Sequence, residues 1–262
     1  MIQEKARIVE HQQIAPNYYK LTLLSHYISS NTLPGQFIEI RVCDFTVCPL
    51  LRRPFSIHGT NKDKKTIEIL YEVVGLGTEV LTKHQIGQEL DILGPLGNGF
   101  TIKKKGKIAI LVSGGMGVAP LKALAEHIKA PARYVFMGCK KMDQVVCEKD
   151  FSKLGFEVQV ATENGSAGKK GLVTDILNGF IDSAQPSELN EINIYACGPK
   201  AMLKAVSEIA QQKKLNCQIS MEAYMACGIG ACKGCAVKTT KGMKMVCKDG
   251  PVFPAQEIIW PI

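Results

Sequence analysis

Cys227, Cys232 and Cys235 stand in a C-x4-C-x2-C spacing, and Cys247 follows further along the chain. Four thiolates so arranged can hold the two irons of a [2Fe–2S] cluster. The loop Cys227-Gly228-Ile229-Gly230-Ala231-Cys232-Lys233-Gly234-Cys235 is built of small residues. Its backbone can coil around an inorganic core and turn N–H groups toward sulfur. Residues 236–240 and 243–246 read as short strands about a Lys241-Gly242 turn. Pairing there returns Cys247 to Cys235, within about one residue of register. Two rival chemistries use the same atoms. Structural zinc takes four thiolates, usually as C-x2–4-C pairs, and Cys232-x-x-Cys235 alone could be a thioredoxin-like dithiol. The x4-then-x2 triplet in a glycine-rich loop favours the cluster. No strand–Cys-x-x-Cys–helix pattern supports the dithiol.

Three further motifs suit phosphates and flat rings. Arg52-Arg53-Pro54-Phe55-Ser56 leads into a strand. A guanidinium can clamp a pyrophosphate bidentately, an aromatic ring can pack on a flavin, and a hydroxyl can bond a flavin ring nitrogen. The plain alternative is a surface charge beside a core aromatic. Leu70-Tyr71-Glu72 ends another strand, and Gly75-Leu76-Gly77-Thr78 opens a short helix over 79–83 with Thr78 as its N-cap. Free N–H donors at such a start favour a phosphate, unless this is an ordinary capped turn. Ser113-Gly114-Gly115-Met116-Gly117-Val118-Ala119-Pro120 joins a buried strand to a helix. It reads Gly-x-Gly-x-x-Pro and so departs from the Rossmann fingerprint, while Pro120 still suits a first helical turn. Cys197-Gly198-Pro199 ends a further strand and would face the same crevice; a buried cysteine before a turn is the plainer reading.

These motifs need a scaffold. Residues 1 to about 100 alternate short strands (6–10, 18–25, 36–42, 55–60, 66–73, 89–93) with turns at Asn31, Pro34-Gly35, residues 61–63 and Gly94-Pro95. That rhythm predicts a closed antiparallel β-barrel. From Lys107 buried strands (107–113, 133–137, 156–162, 192–197) alternate with helices (120–129, 173–179, 200–213), which predicts a doubly wound parallel α/β domain. From Ile219 on, the pattern belongs to neither, and so small a unit needs a staple that a cluster would provide. The expected division is 1–101, 102–218 and 219–262.

The 262 residues can bury substantial cores. No apolar run approaches the roughly 20 residues of a membrane span, and no apolar signal segment follows Met1. With ten cysteines in all, this leads to the expectation of a cytoplasmic protein with reduced thiols. Cys43, Cys48, Cys139, Cys147 and Cys217 then read as ordinary buried or half-buried side chains. The net charge of +8 is scattered over turn lysines. Only residues 103–105 form a run, without interleaved aromatics, so no nucleic-acid partner is expected.

Taken in order, Arg-Pro-Phe-Ser, Gly-x-Gly-Thr, Gly-Gly-Met-Gly-Val-Ala-Pro and Cys-Gly-Pro resemble the ferredoxin–NADP reductase superfamily. The C-terminal Met-Ala-Cys-Gly-Ile-Gly-Ala-Cys-Lys-Gly-Cys…Cys narrows the resemblance to electron transfer subunits of dihydroorotate dehydrogenase B. It covers essentially the whole chain. It implies FAD in the barrel, NAD(H) on the α/β domain and the cluster at Cys227, Cys232, Cys235 and Cys247. Carried across, Arg53, Pro54, Phe55 and Ser56 would meet the flavin and its phosphates. Leu70, Tyr71 and Glu72 would line the FAD, and Gly75, Gly77 and Thr78 would hold its pyrophosphate. Gly114, Gly115, Gly117, Cys197, Gly198 and Pro199 would serve the dinucleotide, with Ser56 and Cys197 at the reacting centre. Phe55 stands where many superfamily members have tyrosine, which keeps stacking and loses a phenolic hydrogen bond. The implied partner is an FMN-containing dihydroorotate dehydrogenase catalytic subunit, in a two-plus-two heterotetramer that serves pyrimidine synthesis. A similar relay feeding a hydrogenase or sulfite reductase is the nearest rival. A flavin-free zinc-binding interaction protein is the rival of another class.

Overall fold

The computed structural model describes residues 1–43, 48–103 and 106–260. Of the lysine run at 103–105, two residues lie outside them. Six strands close the N-terminal barrel: β1 (Ile2–Ala15), β2 (Tyr18–Leu24), β3 (Phe37–Arg41), β4 (Arg53–Asn61), β5 (Thr66–Glu72) and β6 (Glu89–Leu96), in spatial order β1-β2-β5-β4-β3-β6. Alternation aims Ile8, Leu21, Leu23, Ile38, Ile40, Phe55, Ile57, Ile67, Ile69 and Ile92 inward. Two short helices accompany it, α1 (His26–Asn31) and α2 (Leu76–Thr82). Helix α1 stands where Asn31 read as a turn; Ser25 caps it by accepting the Ile28 N–H. Gly94-Pro95, also expected to be a turn, lies inside β6. The β3–β6 register slips between Phe37 and Glu39, and such a bulge tolerates a proline that cannot donate.

The second unit contains β7 (Ile108–Gly114), α3 (Val118–Ala125), β8 (Ala132–Cys139), α4 (Glu148–Lys153), β9 (Glu157–Thr162), β10 (Lys169–Lys170), α5 (Val173–Ser183), α6 (Pro186–Leu189), β11 (Ile192–Cys197), α7 (Lys200–Gln212) and β12 (Asn216–Ser220). Its parallel sheet runs β10-β9-β8-β7-β11-β12. One apolar layer gathers under α5 and α7 and another under α3 and α4, so the sheet is covered on both faces. Strand order reverses between β7 and β11, and the loops after these strands open side by side. Crevices for ligands form at such a switch point.

The C-terminal unit holds a hairpin of β13 (Ala236–Thr239) and β14 (Gly242–Met245), then β15 (Val252–Pro254). Strand β15 pairs antiparallel with β12, Ser220 facing Val252, and so forms the edge of the α/β sheet. In the hairpin Ala236 faces Met245 and the Val246 N–H donates to the Cys235 carbonyl at 3.1 Å. Cys247 therefore lies one residue off Cys235, as the sequence predicts.

Candidate functional site

Two cavities lie at the junction of the three units. The first, of about 330 Å³, is lined from the barrel by Pro54, Phe55, Ser56, Leu70, Tyr71 and Glu72. Met116, Ala119, Cys197 and residues 220–223, with Met225, close its other side. The second, of about 620 Å³, is lined by Gly114, Gly115, Gly117, Gly198 and Pro199 at the switch point. Glu72, Met116 and Glu222 line both. The two cavities therefore meet, and a planar ring in the first can face one in the second.

Strand alternation explains the first wall. Phe55 and Tyr71 belong to the barrel core and meet edge-on, with ring centroids 5.7 Å apart. Pro54 and Ser56 fall on the opposite, outer face. Arg53, Gly75, Gly77 and Thr78 line neither cavity, yet they sit together: a Cβ on Gly77 would come within 2.7 Å of Arg53 Nε. Glycine there lets the guanidinium lie against the loop. The two arginines differ. Arg52 is tied to Asp91 at 2.7 Å, whereas Arg53 bonds only the carbonyls of Leu51 and Arg52 among the described residues. Its charge is the one left for a phosphate.

Thr78 corrects an expectation. Helix α2 begins earlier, with Gly75 as N-cap, and Thr78 occupies its third position. The hydroxyl accepts the N–H groups of Val74 and Gly75 and donates to the Gly75 carbonyl at 2.9 Å. Thr78 folds the loop around its own hydroxyl, and the N–H groups of Leu76 and Gly77 remain at the helix start.

At the switch point the backbone is packed to contact. A Cβ on Gly117 would fall 1.9 Å from the Cys197 carbonyl oxygen, and one on Gly114 would strike Pro199 at 2.6 Å. Only glycine fits such a cradle. Burial pushes the Cys197 thiol well above its ordinary range; Glu222 adds to this and a bond with Ser220 opposes it. This cysteine is a shaped wall and not a thiolate nucleophile. Cys48 departs from expectation by being exposed, since it sits in a surface turn.

Sequence reasoning missed Glu222, whose carboxyl is raised by burial where the two cavities join. Its place just beyond β12 was the available signal, because strand ends of a parallel sheet line the crevice.

The four cysteines converge in two pairs. Cys235 and Cys247 are buried with sulfurs 3.3 Å apart, inside the apolar layer under α5 and α7. Cys232 is exposed and Cys227 half-buried, with the Cys232 N–H donating to Cys227 Sγ at 3.4 Å. Backbone N–H groups of Gly230, Gly234 and Cys247 also point at sulfur, at 3.1, 3.5 and 3.5 Å. Burial would raise the Cys227 thiol, but bonds from Cys232, Ile229 and Ala231 bring it down to about 6. Burial and the adjoining Cys235 push Cys247 up to about 12. Among the described residues no three such ligands close on a single ion. Four thiols in two pairs, ringed by sulfur-directed N–H groups, fit a two-iron cluster.

Residues 222–259 match the family described as the iron–sulfur cluster binding domain of dihydroorotate dehydrogenase B. Residues 111–208 match an oxidoreductase NAD-binding domain. A dihydroorotate dehydrogenase B (NAD(+)) electron transfer subunit from Caldanaerobacter subterraneus subsp. tengcongensis is 44% identical over 261 residues, covering 98% of each chain. The chain belongs to this family. The subunit of the same name from Lysinibacillus sphaericus is 41% identical over 96% of each chain. Among solved structures, the NADH-dependent reduced ferredoxin–NADP oxidoreductase, described for flavin-based electron bifurcation, superposes with a TM-score of 0.85 at 28% identity. It covers 98% of this chain and 90% of its own. A Neisseria gonorrhoeae ferredoxin–NADP+ reductase with bound FAD and NADP, at 15% identity and a TM-score of 0.67, shares the fold.

Proposed function

We infer that this chain is the electron transfer subunit of a dihydroorotate dehydrogenase B, with FAD, a [2Fe–2S] cluster and NAD(H) as its redox groups. The observation that carries the reading is one of position. The two cavities meet at Glu72, Met116 and Glu222, and the four-thiol loop starts two residues beyond Met225 of the first cavity. When bound, the cluster carries single electrons and FAD exchanges them for the electron pair that NAD+ takes as hydride.

The chain's own residues hold and shield these groups. Pro54, Phe55, Ser56, Leu70, Tyr71 and Glu72 form the flavin wall, with Arg53 and the N–H groups near Gly75 and Gly77 on its phosphates. Gly114, Gly115, Gly117, Gly198 and Pro199 admit the dinucleotide backbone. Ser56 and Cys197 lie where the rings would meet. Cys227, Cys232, Cys235 and Cys247 would hold the cluster. Three units, 1–101, 102–218 and 219–262, divide the work.

The FMN-containing catalytic subunit that oxidises dihydroorotate is the partner, in a two-plus-two heterotetramer of the cytoplasm that serves pyrimidine synthesis. No helix among the described residues is long and apolar enough to cross a membrane. Tyr224 and Ile229, exposed on the segment that carries the exposed Cys232, offer an apolar contact for the partner. The test separates the parts. The purified chain alone should oxidise NADH with artificial acceptors, with a higher kcat/KM than for NADPH, and should reduce NAD+ with dihydroorotate only after the FMN partner is added. Orotate formed by the chain alone would overturn the assignment.

A further inference from the structure

His58 lies outside every motif above, yet it joins the two halves of the active site. Pro54, Ser56 and His58 follow one another on the outer face of β4, since alternate strand residues share a face. The first two line the flavin cavity. At the third the β4–β5 register slips, between Ile57 and Gly59, and bulges re-aim side chains. The His58 ring reaches α3, where Nδ1 lies 3.0 Å from the Ala119 carbonyl oxygen. Ala119 lines the same cavity from the opposite side and sits in the first turn of α3, directly after the glycine turn of Gly114, Gly115 and Gly117.

The protonation pattern is fixed by the neighbours. A carbonyl only accepts, so Nδ1 carries the hydrogen and donates. Nε2 is then bare and faces Cys147 Sγ at 4.0 Å. Burial pushes that thiol up to about 12, so its S–H is present to point at the ring. Burial, helped by the charge of Lys122, lowers His58 itself to about 4. The ring is only 3% exposed, neutral and held at one end by a strong acceptor. Beside it Lys122 of α3 reaches back to Glu68 of β5 at 3.7 Å and to Glu126 at 2.7 Å. The barrel and the α/β domain are joined here by directed bonds.

Resting on the functional reading above, we propose that His58 is a positioning residue for hydride transfer, because its bond to Ala119 sets the flavin wall at a fixed distance from the dinucleotide turn. Hydride transfer is steep in separation: a misplacement of about 1 Å can cost about a hundredfold in rate. Binding of either group alone is less demanding, since Arg53 and the glycine turns stay where they are.

Anaerobic rapid mixing of the flavin-loaded full chain with NADH reads two quantities apart: the limiting rate of flavin bleaching and the NADH concentration for half that rate. In His58→Leu the limiting rate should fall at least about tenfold while half-saturation moves within about twofold. Amide deuterium exchange across residues 114–121 should quicken at the same time. His58→Asn places an N–H where Nδ1 stood and should return the rate to within about threefold of wild type. His58→Gln carries its N–H to the Nε2 position and should not. A His58→Leu chain with full flavin content, wild-type bleaching and unchanged exchange would overturn the proposal. If that variant fails to fold, equal rates in the Asn and Gln variants overturn it instead. A wild-type chain that NADH does not bleach would sink the functional reading itself, and this inference with it.

Discussion

The barrel meets the rest of the chain along two seams that are built differently. Against the α/β domain it presents His58 and Glu68, and each finds a partner on α3. Against the cluster loop it presents Glu39, fully buried, with neither carboxyl oxygen hydrogen-bonded among the described residues. A Cβ on Gly228 would come within 2.7 Å of that carboxyl, and Gly228 has φ +66°. Close approach and left-handed backbone both call for glycine. Burial raises Glu39 to about 7; Cys227 adds to this, while Arg52 and Arg53 oppose it. The first seam is joined by satisfied bonds; the second has them where Asn98 donates to the Lys248 and Asp249 carbonyls, but at the thiol loop it sets a ligand-bearing turn over an unsatisfied carboxyl. Polar satisfaction keeps a seam shut without help, so it is the part of the second seam at Glu39 and Gly228 that leans on the cluster.

The largest test of that contrast is Cys247→Ser. Iron content should collapse, and the segment 222–251 should become sensitive to protease, since folding of such units is coupled to their metal. The α/β seam should survive, so NADH should still bind, while flavin should be held more weakly because Glu222, Ala223 and Met225 wall its cavity. Loss of both seams together would show that they are not independent.

Acid tests the first seam. His58 takes up its proton near pH 6.5 when unfolded and only near 4 when folded. The unfolded chain binds more protons across that window, so stability should fall as pH drops from 6.5 to 4, by up to about 3 kcal/mol. Thermal melts should show this slope flattened in His58→Asn.

The second seam should respond with the opposite sign. Glu39 is raised, so the folded chain binds more protons between 4.5 and 7, and stability should fall as pH rises through that range. Glu39→Gln should remove the decline. At pH 8 it should raise stability by about 1–2 kcal/mol, the amide's own unmet bonds offsetting part of the gain. A variant no more stable at pH 8 than wild type would mean the carboxyl has partners when iron is bound.

What could be read from the sequence was what is local. The thiol spacing, the one-residue offset of Cys247 and the glycine cradle at Gly114 and Gly117 depend on neighbours within a turn or a hairpin. Strand alternation likewise placed Pro54 and Ser56 on one face. Glu39 and His58 alternate with apolar residues in β3 and β4, and nothing in that pattern singles them out. Their roles come from segments far along the chain, the Gly228 loop and α3, which no period in β3 or β4 can announce. Thr78 shows a smaller failure of the same kind: starting α2 at Leu76 turned a cap into an internal brace.

Ser220 and Val252 face each other across two adjacent strands, so the whole cluster loop leaves and re-enters the sheet at one point. In architectural terms it is a long hairpin tip grafted onto a flavin–nicotinamide core. A lineage could gain, lose or exchange its one-electron port there without rethreading the sheet. An engineer could do the same, provided the new loop restores the cavity wall that residues 221–225 now supply.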